Sequence, residues 1–169
     1  MSDQSLPELT PEKLKFIENI ALYYEHYGIP RIAGRMFGLL LLNTLPLSAE
    51  QISQQLGASL SSVSTNIRAL ISNGWVEKVT RTGDRVTYYR FSPQAWEQVM
   101  ERRRQSFLPL KSMADQMTAA LDADDPARQQ LQHMSDWATL LMQHYDTLIA
   151  TWQAQLRGDT SKPSTSDEG

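Results

Sequence analysis

Apolar residues recur every three or four positions along most of this chain, and proline, glycine and asparagine interrupt the rhythm at a few places. Thr10-Pro11 is a helix start, because proline fits the first helical position and a threonine hydroxyl caps free amides. Leu14, Ile17, Ala21 and Tyr24 then follow at helical spacing until Gly28. Pro30 opens a more apolar helix through Ile32, Ala33, Met36, Phe37, Leu40 and Leu41. Its pattern predicts a broad buried face and a stop near Asn43-Thr44-Leu45-Pro46.

Ser48-Ala49-Glu50-Gln51 has the form of a capping box, which predicts a short helix closed by Gly57. Ser59 is placed to cap the next helix, with Val63, Ile67 and Leu70 as its apolar stripe and Asn73-Gly74 as a left-handed stop. Trp75 to Arg81 and Val86 to Phe91 are β-prone, and Thr82-Gly83-Asp84-Arg85 between them is turn chemistry. The expectation is a hairpin of two short strands.

Helix resumes after Ser92-Pro93, with Pro109 expected to kink or split it and Asp124-Asp125-Pro126 to break it again. Beyond that break Leu131, Met134, Ala138, Leu141, Tyr145, Leu148 and Trp152 alternate in threes and fours. Such a seam implies helix-on-helix packing, within the chain or across a dimer. The composition after Arg157 predicts a disordered tail. The result is a mainly α chain in four parts: an N-terminal dimerisation or support helix over 1–28, a winged helix-turn-helix domain over 29–92, a helical dimerisation region over 93–157 and a tail over 158–169.

The chain has 169 residues with a formal net charge of -3, which excludes a uniformly basic binder. Segregation changes that picture. Residues 30–104 carry ten bases against five acids, while 1–29 has a net charge of -3 and 105–169 of -5. The absence of cysteine removes disulfides, thiolate metal sites and cysteine nucleophiles together. No signal-peptide core and no run of membrane-spanning length is present, so a soluble cytoplasmic protein is expected.

Two short helices joined through Gly57 fit a helix-turn-helix, with Ile52 and Leu56 facing inward from the first and Val63 and Ile67 from the second. The following hairpin makes it winged. Ser61, Ser62, Thr65, Arg68 and Ser72 share the outer face of the second helix, with Asn66 at its flank. Small hydroxyls permit close approach to DNA, and Asn66 and Arg68 are suited to bidentate base or phosphate contacts. At the wing, Arg85 beside Gly83 is placed for a narrow minor groove, and Lys78 and Arg81 for phosphates. The expectation is a homodimer on a pseudo-palindromic operator in double-stranded DNA, repressing by occupancy. A protein-interaction module built on the same winged helix is the alternative.

Gly28-Ile29-Pro30-Arg31-Ile32-Ala33-Gly34-Arg35-Met36-Phe37-Gly38, Pro46-Leu47-Ser48-Ala49-Glu50-Gln51-Ile52, Ser61 to Leu70 and Gly83-Asp84-Arg85-Val86-Thr87-Tyr88-Tyr89 together resemble a known family. They look like a MarR-like winged helix-turn-helix transcriptional regulator, of the GbsR branch associated with osmoprotectant genes. The resemblance covers about residues 15–105; beyond 105 the chain carries little family signature and the reading rests on the heptads. It implies a homodimer with recognition helices in successive major grooves, Arg85 in the minor groove and Asp84 steadying the wing. Ser61-Ser62 departs from the arginine often found there.

Tyr24, Tyr27, Trp96, Trp137 and Tyr145 are candidate aromatic walls for an effector pocket, with packing of such rings in the core and at a dimer seam as the alternative reading. Aromatic faces attract quaternary ammonium groups, and the branch resemblance suggests choline- or betaine-like ligands. His133 and Asp136 lie one helical turn apart, with His144 further along, but no converging third ligand is evident. Those residues read as solvated helix surface rather than a metal site. No Gly-rich phosphate loop or nucleophile elbow is present, so no cofactor and no catalysis are expected.

Overall fold

The computed structural model describes residues 8–80, 83 and 85–159. Residues 1–7 and 160–169, together with Arg81, Thr82 and Asp84, lie outside the described residues, and so do the wing roles expected of Arg81 and Asp84. In chain order the elements are α1 (Pro11–His26), α2 (Arg31–Leu42), β1 (Leu47–Ser48), α3 (Ala49–Leu56) and α4 (Leu60–Ser72). There follow β2 (Val76–Thr80), β3 (Thr87–Phe91), α5 (Ala95–Gln105), α6 (Leu108–Ala120) and α7 (Ala127–Asp159). The fold is mainly helical with one small antiparallel sheet.

Local chemistry accounts for the boundaries. Thr10 Oγ1 accepts from the Lys13 amide at 3.4 Å, with Pro11 in the first helical position of α1. At α3 the Gln51 amide donates to Ser48 Oγ at 3.2 Å and the Ser48 amide to Gln51 Oε1 at 2.8 Å, the two halves of a capping box. Gly57 ends α3 at φ 60°, a left-handed conformation that a side chain would strain. Its turn reverses the helical path of α3 before Ser59 caps α4. α5 ends at Gln105 and α6 starts at Leu108, so the chain splits around Pro109. α7 runs on to Asp159, two residues past Arg157.

The sheet holds a strand the sequence pattern did not suggest. Leu47 and Ser48 pair with Tyr89 and Tyr88, giving the order β1-β3-β2 in place of a two-stranded hairpin. The β2–β3 register runs from Val76 opposite Phe91 to Thr80 opposite Thr87. Beside it, Glu77 accepts from Arg90 Nε at 2.6 Å and from Ser92 Oγ at 3.3 Å.

The chain divides between Trp96 and Glu97 into two units. In the first, α1 and α2 pack on the α3–α4 pair and the sheet around Ile17, Met36, Phe37, Leu40, Ile52, Val63 and Ile67. Rings of Tyr24, Phe37, Trp75, Phe91 and Trp96 pack largely edge to face at its rim, Phe37–Trp75 at 4.9 Å and Trp75–Trp96 at 5.2 Å between centroids. In the second unit α6 lies against α7, and among its described residues only Ala114, Ser135 and Ala138 are buried. Ser135 Oγ donates to Asp115 at 2.6 Å and accepts from Lys111 at 3.1 Å. Arg128 closes the α6 end by donating to the carbonyls of Thr118 and Leu121 at 2.6 and 2.8 Å.

Candidate nucleic-acid interface

The geometry of α4 follows from its stripe. Val63, Ile67 and Leu70 are buried in the core and pin one face of the helix. The opposite face must then point outward: Ser61, Ser64, Thr65, Arg68 and Ser72 are exposed, and Ser62 and Asn66 half-buried. Ser59 caps the helix by accepting from the Ser62 amide at 3.3 Å, and its hydroxyl lies 3.1 Å from that of Ser61.

Two expected base-reading groups are drawn back onto their own helix. Asn66 Nδ2 donates to the Ser62 carbonyl at 2.8 Å, and Arg68 Nε to the Ser64 carbonyl at 3.1 Å. The Arg68 terminal nitrogens are not involved in that bond and remain on the exposed face. Sequence reasoning passed over Ser64, and also Leu60, an exposed apolar residue at the leading end of α4. On the hairpin, Lys78 is exposed on β2 and Arg85 is exposed five residues after that strand ends, just past Gly83 at φ 83°.

The five expected effector-pocket residues divide between the units. Tyr24, Tyr27 and Trp96 belong to the first, and Trp137 and Tyr145 to the second, where both pack on Phe107. A cavity of about 290 Å³ in the first unit is lined by Tyr24, Gly28, Ile29, Pro30, Phe37, Asn73 and Trp75 among others. Of the five, only Tyr24 lines it; burial pushes its phenol pKa upward. Among the described residues no group of three or more histidine or carboxylate side chains is arranged to hold a metal. Among them, too, no helix is long and apolar enough to cross a membrane.

A short capped helix, a glycine turn, a second helix with a polar outer face and a hairpin bearing cations define a winged helix-turn-helix, the DNA-binding class. A family model for MmpR5-like MarR family transcriptional regulators matches residues 94–155. The transcriptional regulator MmpR5 of Mycobacterium tuberculosis is 34% identical over 128 residues, 75% of this chain and 78% of its own. The transcriptional repressor OpcR of Bacillus subtilis is 23% identical over 147 residues, 78% of this chain and 77% of its own. A crystal structure described as a transcriptional regulator superposes with a TM-score of 0.75 at 30% identity, covering 85% of this chain and 99% of that one. The chain belongs to the MarR family of DNA-binding transcriptional regulators. The family match at 94–155 also corrects the expectation that little signature lies beyond residue 105.

Proposed function

We propose that the protein acts as a cytoplasmic homodimeric repressor, with two copies of α4 entering successive major grooves of a pseudo-palindromic operator. The observation that carries this is the α4 face itself: a buried stripe fixes the helix so that hydroxyls and Arg68 all face outward beside the Arg85-bearing hairpin. The dimer is supported by the second unit, whose helices leave Met113, Met117, Trp137 and Leu140 more than half exposed or close to it. An α6–α7 pair that buries so little lacks a core of its own, and a second copy supplies the missing layer. Repression is supported by the relative named as a repressor. The GbsR-branch assignment rests on the Gly28-to-Gly38 motif.

For control by a ligand, the cavity beside Tyr24, Phe37 and Trp75 is the site with aromatic walls and room for a small molecule. A quaternary amine such as choline or betaine is the proposed class, held by cation–π attraction. Release then follows from a change in the spacing of the two wings.

A gel shift on DNA upstream of the protein's own coding sequence tests the reading. Wild type is expected to bind that DNA in preference to random duplex at physiological salt. Arg85→Ala and Arg68→Ala should each weaken it by about tenfold or more while the dimer stays intact. Millimolar choline or glycine betaine should release the complex. Equal affinity for promoter and random DNA overturns specific regulation and favours a protein-interaction module.

A further inference from the structure

We propose that Leu60 sets base preference at the tip of α4 by packing on thymine methyl groups in the major groove, so that each half-site carries A·T pairs there; this rests on α4 being the groove-entering helix. Leu60 is the first residue of α4, after the Ser59 cap, and 48% of it is exposed. The stripe that anchors the helix is complete without it, since Val63, Ile67 and Leu70 are all buried. Side chains on a helix lean toward its N-terminus, so a side chain in the first position overhangs the leading end. In helix-turn-helix proteins that end makes the base contacts.

The neighbours at the tip leave the choice of base to this residue. The hydroxyls of Ser61, Ser64 and Thr65 both donate and accept, and so match any base edge. Nδ2 of Asn66 and Nε of Arg68 are bonded to their own helix. Arg68 lies two turns further along, away from the tip. The C5 methyl of thymine is the one apolar group on the major-groove edges of the bases. An isobutyl group set against it removes apolar surface from water on both sides. Set against a cytosine amino group or a guanine carbonyl, the same isobutyl strips water from a polar atom and offers no partner.

The test begins with duplexes selected from a randomised pool by the full-length wild-type protein. Each thymine is then replaced by deoxyuridine, which lacks only the methyl. At one or two positions per half-site the wild type should lose roughly fourfold in affinity per methyl. Leu60→Ala should bind the thymine and uracil duplexes equally, and Leu60→Met, which keeps an apolar reach, should restore part of the difference. Thermal melting and sedimentation confirm that both variants remain folded and associated as wild type is. A uracil penalty unchanged in Leu60→Ala overturns the assignment, as does a selected site at which no thymine methyl matters. A pool that yields no preferred sequence overturns sequence reading by α4 and the role of Leu60 with it.

Discussion

Gly34 and Gly38 set how closely α2 approaches α1. A Cβ on Gly34 would lie 2.7 Å from Ala21 Cα, which is backbone and cannot yield without moving the helix. On Gly38 the nearest atom, also at 2.7 Å, is Ile20 Cγ2, the end of a flexible side chain, with Ile17 Cα further off at 3.2 Å. Alanine gains up to about 1 kcal/mol over glycine in a helix interior, so the clash decides the sign. Gly34→Ala is expected to destabilise by about 1–3 kcal/mol, and Gly38→Ala by less. Denaturant midpoints measure both, and a Gly34→Ala protein as stable as wild type rules out the close approach. In the sequence these glycines stand out only as small residues in an apolar helix. Their partner is on another helix, and spacing along one helix does not identify it. Leu60 escaped notice for a related reason: its exposure depends on which face the rest of the fold covers.

At the scale of elements, what was legible was local. The α3 capping box is written within four consecutive residues, Ser48 to Gln51, and forms as the pattern predicts. The stripe of α4 has helical period, and the hairpin has turn residues between β-prone runs. β1 was illegible because only Leu47 and Ser48 pair, too few to show alternation, and Ser48 also serves as the α3 cap. The polar link between α6 and α7 was illegible because its residues are remote in sequence, Ser135 lying 20 residues from Asp115 and 24 from Lys111. That link has a pH signature. The Lys111 ammonium and the Ser135 hydroxyl hold the Asp115 carboxyl below its usual 3.8. A lowered folded pKa adds stability above the ordinary value, and that contribution is lost as pH falls through the lowered one. Asp115→Asn should therefore melt below wild type at neutral pH, with the gap closing as the pH drops below 3.8. A gap of constant size across that range, followed by circular dichroism, excludes the ion pair with Lys111 as its source.

For the whole molecule the decisive property is where the charge lies. A net charge of -3 argues against DNA binding if averaged, yet residues 30–104 hold an excess of five positive charges and 105–169 an equal negative excess. The acidic C-terminal region cannot rest on phosphates, so the field orients the chain and suppresses indiscriminate adhesion. Affinity should then come from a small set of cations on the winged unit, each displacing condensed counterions from DNA. Lys78 and Leu60 separate the two kinds of contact. Lys78 is exposed on β2 and placed for a phosphate, and its removal from both protomers should flatten the slope of log affinity against log salt by about 1.8. Leu60→Ala removes no charge, so it should lower affinity for the selected duplex while leaving that slope as it was. Fluorescence anisotropy across a series of salt concentrations gives both slopes. If Lys78→Ala keeps the wild-type slope, β2 does not touch the backbone. If Leu60→Ala changes the slope, its effect is a shift of the whole docking geometry rather than a lost methyl contact. Only the pairing of an unchanged slope with a lost thymine preference fits a tip that reads bases while the wing holds the strand.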